Sequence, residues 1–346
     1  MTTSGGSRVE TIKRRLVSVP AVACAGVGLV VLLPLWLPIA LAVDLMRAPR
    51  RLPVTRLLAF ALSWAWIETV GVVRLTVIWL RGNAGDVERM TEVQRWWASR
   101  ILAALRVTAG LRVEYDGLDA YHPTPIVVLP RHASLVDSVF SIWAAIGPGR
   151  LQARVVLKRE LLADPCLDIA GNRLPNYFLD RGATDSAPEL AAIMALSRDM
   201  GSGVAAVIFP EGTRANPDKR LRALAKILER DPARAERLSA LRHLLPPRPA
   251  GAAALLAGAP DADVVVAWHT GLEGMDSFRG IVRNVPPLSG RTVRYHARRV
   301  PRAEVPSGEA FVRWLDDTWL ELDRAVGVEL GTAGTNDPTS ISAVTR

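Results

Sequence analysis

Apolar positions divide the chain into a front part and a longer remainder. From Leu16 to Val43 there are 28 consecutive uncharged residues, LVSVPAVACAGVGLVVLLPLWLPIALAV. That is too long for the apolar run of a soluble core helix and long enough to reach across a bilayer. A cleaved leader would have a shorter apolar region ending at a small-residue cleavage site, whereas this run continues through Pro34-Leu35-Trp36-Leu37-Pro38. A second apolar segment, Leu57 to Leu80, carries Glu68 and Arg74 near its middle. It predicts either a helix turning a polar face to a partner or one lying in the membrane interface.

From about Arg81 the pattern becomes an amphipathic helix, Asp86 to Leu105, followed by short β-rich runs separated by helical ones. Strands are predicted at Leu111 to Tyr115, Pro125 to Leu129, Ala153 to Leu157, Asn176 to Leu179, Val204 to Phe209, Asp263 to Trp268 and Thr292 to Arg298. Further helices are predicted at Leu135 to Ile146, Ala187 to Met200, Arg220 to Leu228, Ala233 to Leu241, Gly251 to Ala257 and Glu309 to Val326. The alternation reads as an α/β fold, a mixed sheet flanked by helices, with N-terminal membrane-embedded helices ahead of it. The expected organisation is a basic tail at 1–15, a membrane-embedded segment at 16–80, the main domain at 81–326, and a disordered tail at 327–346 that ends in the polar GTAGTNDPTSISAVTR.

Composition narrows this picture. With 49% hydrophobic residues the chain can bury a sizeable core, and 43 Lys and Arg against 34 Asp and Glu give +9, which favours anionic partners. The apolar N-terminal segments point that charge toward lipid, and no basic patch with interleaved aromatics suggests nucleic acid. Two cysteines, Cys24 and Cys166, provide neither a disulfide framework nor a zinc cluster and suit a reducing compartment for the catalytic part. Lys13, Arg14 and Arg15 precede the first apolar run, while Arg47, Arg50, Arg51 and Arg56 follow it. A spanning hairpin would put the second group outside, against the positive-inside tendency, so a re-entrant or half-embedded arrangement fits the charges better.

Two segments carry chemistry. In PIVVLPRHASLVDSVF an apolar strand ends at Pro130, a turn holds Arg131-His132-Ala133-Ser134, and a helix begins near Leu135. His132 thus stands at a strand's C-terminal tip, where ligands bind in open α/β sheets. Asp137 falls in the first helical turn, where the helix dipole favours negative charge and the carboxylate can reach back to the imidazole. Such a carboxylate fixes the tautomer and leaves the other ring nitrogen to take a proton from a hydroxyl. Ser134 reads as a turn residue or helix cap. Taken alone, the pair also describes a loop histidine and an unrelated helix-start aspartate, and no further His or carboxylate nearby has metal-ligand spacing. In GSGVAAVIFPEGTRANPDKR a second strand ends in Pro210-Glu211-Gly212-Thr213-Arg214. Gly212 permits close backbone approach, Thr213 offers a hydroxyl and Arg214 a fork suited to phosphate. Glu211 is the odd member of an anion site, unless it orients Arg214 or accepts from an acceptor hydroxyl. This segment alone also describes a strand-to-loop turn with solvated charges.

Together the two segments resemble the blocks N-H-x-S-x-x-D and F-P-E-G-T-R of the glycerolipid (PlsC-type, lysophosphatidate) acyltransferase family. The second is matched in full at Phe209 to Arg214, and the first at His132, Ser134 and Asp137, with Arg131 in place of the usual Asn. LKRELLADP, with Lys158, Glu160, Leu161 and Pro165, resembles a third block, and NYFLDRG, with Phe178, Asp180 and Arg181, a fourth. The usual glycines are not cleanly placed: Asp168 and Asn176 stand where they are common. LLPPRPAG and VPSGEAFVRWLDDTWLELD are similar to the C-terminal part of the lysocardiolipin-acyltransferase-like branch, so the likeness extends from about Val107 to Val326.

The resemblance implies transfer of an acyl chain from acyl-CoA or acyl-carrier protein to a lysophospholipid hydroxyl. The typical acceptor is the sn-2 hydroxyl of 1-acylglycerol 3-phosphate, giving phosphatidate. It implies His132 and Asp137 as the catalytic pair, and Glu211, Gly212, Thr213, Arg214, Lys158 and Arg181 as substrate-binding residues. Neither metal nor cofactor is expected beyond the donor itself. The expected setting is the cell (inner) membrane, with the lipid bilayer, a lysophospholipid and an acyl thioester as partners and the catalytic domain facing the cytoplasm. Another lysophospholipid or glycolipid acceptor, a hydrolase, and a non-catalytic lipid-binding protein are the rivals.

Overall fold

The computed structural model describes residues 7–180 and 186–331. Arg181 and residues 332–346 of the expected tail lie outside them. Helix α1 (Arg8–Val31) starts at a capping box, with Ser7 accepting from the Glu10 amide and Glu10 accepting from the Ser7 amide. The basic stretch expected as a tail is therefore helical from Arg8 onward. The 28-residue apolar run is not one helix either. It breaks at Leu32, and α2 (Leu33–Arg47) has Pro34 in its first turn, where the missing N–H and the ring's clash with the preceding turn stop α1 from continuing.

Helix α3 (Pro53–Leu80) lies antiparallel along α4 (Val87–Ala109), which Asp86 caps through the Arg89 amide. Three contacts fix the pairing: Arg56 donates to the Thr108 carbonyl at 2.8 Å, Trp97 Nε1 donates to Glu68 at 2.5 Å, and Leu75 packs in one cluster with Met90. The two charges that marked this segment as unusual thus have distinct partners. Glu68 is fully buried and also accepts from the Cys166 amide, while Arg74 stacks over Trp96. At Gly71 a Cβ would lie 2.4 Å from Cys166 Sγ, so glycine lets α3 approach the domain closely. Helices α1 and α3 are long and apolar enough to cross a membrane. Their outward residues, among them Val17, Val27, Val31, Trp66, Val73 and Leu80, are exposed.

The sheet contains β1 (Leu111–Asp116), β2 (Ile126–Pro130), β3 (Gln152–Lys158), β4 (Tyr177–Leu179), β5 (Val204–Val207), β6 (Asp263–Thr270) and β7 (Arg291–Val300). Its order is β1-β7-β6-β2-β5-β3-β4, with every neighbouring pair parallel except β6 and β7. It is a mixed sheet flanked by helices, as the alternation predicts. Period-two alternation sends Ile126, Val128, Ala205 and Val207 into one core with α4 and α5 (Asp137–Ile146). Val127, Leu129, Ala206 and Val264 go to the other, against α10 (Pro249–Gly258) and α12 (Gly308–Glu329). Between α5 and α10 in sequence come α6 (Pro165–Gly171), α7 (Ala187–Ser197), α8 (Pro217–Leu228) and α9 (Pro232–Leu238), and α11 (Phe278–Asn284) follows β6. Helix α12 continues to Glu329, into the stretch expected as tail.

Asp168 on α6 ties the N-terminal helices to the domain. It is fully buried and accepts from Arg14 Nη2 at 2.7 Å and Arg15 Nε at 2.9 Å. This position, where a glycine is common in the resembled block, therefore anchors α1.

Candidate active site

Strands β2 and β5 are parallel neighbours, pairing Val128 with Val207. That pairing offset, 79 residues, is also the spacing of His132 and Glu211. Each of these residues is four past its paired valine, so the two loops leave the sheet side by side. The second loop holds the first at the backbone: Glu211 Oε1 accepts from the His132 amide at 2.8 Å, and the Ala215 amide donates to the His132 carbonyl at 2.8 Å.

Asp137 organises the His132 turn. Its Oδ1 lies 2.9 Å from His132 Nδ1, and its Oδ2 accepts from the amides of Ala133 at 2.5 Å and Ser134 at 2.7 Å. Ser134 Oγ accepts from the Asp137 amide at 3.1 Å, which places it as a cap for the helix entry. Burial alone would raise the Asp137 carboxyl; the adjacent His132, and His269 beyond it, instead hold it well below the usual carboxylate range. An ionised Asp137 keeps the His132 proton on Nδ1 and leaves Nε2 as the basic nitrogen. The His132 side chain is 19% exposed, and its ring packs against Phe209 at 4.8 Å between centroids.

The structure corrects the expected role of Glu211. It is 1% exposed, and its carboxylate accepts from the backbone amides of His132 and Leu245, so it builds the site and does not face a ligand. Burial pushes its carboxyl up to about 7, with the two amide donors opposing. Gly212 adopts φ +67°, in the left-handed region, and a Cβ there would lie 3.3 Å from Arg248 Cδ. Arg248 is exposed, and its amide donates to the Pro210 carbonyl at 2.8 Å. It thus joins half-buried Thr213 and Arg214 on this loop. Lys158 ends β3 at the same edge of the sheet, where it pairs with Glu160 at 2.9 Å.

Arg131 stands where the resembled block usually has asparagine. It is 2% exposed, donates to the His269 carbonyl, and lies 3.5 Å from Glu273. Sequence reasoning did not single out His269 or Arg248. His269 had the same signal as His132, a histidine at the C-terminal end of an apolar strand; Arg248 stood in the quoted LLPPRPAG run.

An apolar cavity of about 710 Å³ begins at Leu135 and Val136, just past His132. It continues along Ile142 of α5, Trp97 and Ile101 of α4, and Phe60 of α3. Asp164 touches it, and burial together with the neighbouring Glu68 raises that carboxyl far above its ordinary value.

Residues 112–266, which run from the second residue of β1 halfway into β6 and include His132, Asp137, Glu211 and Arg248, match the sequence model of the acyltransferase family. These residues, a little under half of the chain, are similar to the acyltransferase family. Relatives of the chain include a lysophosphatidylinositol acyltransferase of Caenorhabditis elegans, 22% identical over 236 residues, or 65% of this chain and 58% of that protein. A 1-acyl-sn-glycerol-3-phosphate acyltransferase of Pseudomonas aeruginosa is 34% identical over 125 residues, 35% of this chain and 45% of that one. The chain therefore spans about half the length of these relatives. The crystal structure of the 1-acyl-sn-glycerophosphate acyltransferase PlsC from Thermotoga maritima has the same fold, with a TM-score of 0.51 and 16% identity over 80% of this chain and 97% of that one.

Proposed function

We propose that this chain transfers an acyl group from an acyl-CoA or acyl-carrier-protein thioester to a lysophospholipid hydroxyl. The preferred acceptor in this reading is the sn-2 hydroxyl of 1-acylglycerol 3-phosphate, and the product is phosphatidate. One observation carries it: the His132–Asp137 pair is clamped at the backbone to the loop bearing Arg214, and a deep apolar cavity opens beside it.

In this reaction His132 Nε2 takes the hydroxyl proton as the oxygen attacks the thioester carbonyl. Asp137 stabilises the resulting imidazolium. Collapse of the tetrahedral intermediate breaks the C–S bond, and the imidazolium returns the proton to the departing thiolate. Positioned base catalysis contributes about 100- to 10,000-fold, and the thioester is already activated. Arg214 and Arg248, with Lys158 at the same edge, bind the acceptor phosphate, and Arg181 is the further candidate for that role. The cavity's volume and apolar lining suit an acyl chain. The exposed apolar faces of α1, α2 and α3 rest in the bilayer, the inner membrane of the cell in this reading, with the catalytic domain on the cytoplasmic side, so chains can pass from lipid to cavity. The name of the nematode relative supports a second reading, in which the acceptor carries a finished headgroup.

The test is labelled acyl-CoA offered with a panel of acceptors to solubilised wild-type protein and His132→Ala. Wild-type-only formation of phosphatidate is expected. Transfer only to another acceptor replaces the substrate, and no transfer from either donor class overturns the reaction. Turnover retained in His132→Ala removes His132 as the base.

A further inference from the structure

His269 is a second histidine at this edge of the sheet, and the reaction above does not use it. Its side chain is 1% exposed at the end of β6, and its Nε2 lies 3.4 Å from Asp137 Oδ2. Neither ring nitrogen has a formed hydrogen bond among the described residues. The ring stands edge-on to Phe140, with centroids 5.1 Å apart, and its backbone carbonyl accepts from Arg131. The charged or titratable groups around it are Asp137 of α5, Arg131 after β2, Glu273 after β6, and Tyr295, its cross-strand partner on β7.

A leucine or phenylalanine would fill this volume without burying two ring nitrogens, each costing about 1–3 kcal/mol when unpaired. The chain instead has an imidazole there, on the far side of the carboxylate that orients His132. We propose that His269 is a positioning residue, a neutral Nε2–H donor to Asp137 Oδ2 that draws charge from the carboxylate and so tunes the basicity of His132. Burial holds the imidazole below its ordinary value, and Arg131 acts in the same direction against the pull of Asp137. The ring therefore stays uncharged and acts as a hydrogen-bond donor. Asp137 then faces donors on both oxygens: His132 on Oδ1, and Ala133, Ser134 and His269 on Oδ2. Without the last donor, more negative charge falls on His132, which holds its proton to higher pH and is less often free to act as a base.

The proposal rests on His132 being the base, and the experiment separates the two. Histidine-labelled protein is titrated by NMR as wild type, His269→Leu and His269→Gln, with the His132 resonance assigned from His132→Ala, and acyl transfer is measured on the same samples. The His132 midpoint is expected to move up by about one pH unit in His269→Leu. It should return toward wild type in His269→Gln, whose amide can place an N–H near the Nε2 position. The acid limb of kcat should move with it, with kcat on that limb down by up to about ten-fold and the acceptor KM unchanged. If His269→Leu does not fold, His269→Asn, with a shorter reach, is titrated in its place. A midpoint and acid limb identical to wild type, with or without lost stability, overturn the positioning role. A moved midpoint in a protein whose His132→Ala form still turns over leaves the coupling intact and overturns the base reading instead.

Discussion

Replacing Asp137 by asparagine keeps the side chain's shape and removes its charge, and the local hydrogen bonds dictate how the amide must sit. The Oδ2 position receives two backbone donors, from Ala133 and Ser134. An NH2 group placed there would leave two buried N–H groups facing a donor, at a cost of about 2–6 kcal/mol for the pair. The amide therefore puts its oxygen on those backbone groups and its NH2 toward His132 Nδ1. That forces the imidazole to accept at Nδ1 and to carry its proton on Nε2, the nitrogen that must be basic. The tautomer is wrong even though the geometry is kept, and the equivalent change in a serine-protease triad lowers kcat about 10,000-fold. We expect a loss of that order in kcat, with the acceptor KM little changed and an unaltered circular dichroism spectrum. The assay is initial-rate transfer from labelled acyl-CoA at saturating acceptor. An Asp137→Asn enzyme within ten-fold of wild type would refute the tautomer argument. Asp137 also links stability to acid: its carboxyl is held below the ordinary range, so its contribution is present above the unfolded value and is lost as pH falls through the folded one.

Glu211 behaves in the opposite way. Its folded value of about 7 is raised, so its contribution is full below the unfolded carboxylate value and fades as pH rises through 7, by about 3 kcal/mol in all. Denaturant midpoints at pH 5 and 8 should therefore diverge more in wild type than in Glu211→Gln, and equal divergence would contradict the assignment. Ile142→Trp should fill part of the cavity and lower the rate for long acyl-CoA chains while sparing short ones; an unchanged chain-length profile would remove the cavity as the acyl site. Arg248→Ala should raise the acceptor KM about ten-fold with kcat kept, and no change in KM would leave Arg248 outside the phosphate site. Asp168→Asn should weaken the hold on Arg14 and Arg15 by about 2 kcal/mol, since both arginines are partly exposed. Limited proteolysis should then release the N-terminal helices sooner, and an unchanged cleavage rate would show that the ion pairs contribute little.

The seven strands were legible because each is an apolar or alternating run closed off by turn residues, and their ends shifted by no more than two residues. Helices α6 and α11 were not, although the equally short α9 was: α6 hides its polar Asp168 under arginines more than 150 positions earlier, and α11 has no buried residue to set a period. The break at Leu32 was written in Pro34, but the length of the apolar run outweighed it. His132 and Asp137 were legible because their contact spans five residues. The role of Glu211 was not, since its partners are amides 79 residues earlier and 34 later, and a sequence motif says nothing of such distant contacts. His269 remained hidden for the same reason: its proximity to Asp137 exists only once β6 lies beside β2.

The equal offsets of β2 with β5 and of His132 with Glu211 bear on how such chains should be sought. What aligns the His132 loop with the Glu211 loop is the hydrogen-bond ladder between adjacent strands, so the connecting excursion through β3, β4 and α7 can lengthen or shorten without disturbing it. A slip of one residue in that ladder would displace the two loops by about 3.3 Å, more than the chemistry tolerates. A search filter that demands a fixed number of residues between the blocks would discard valid members. Counting each block from the last paired residue of its own strand would keep them.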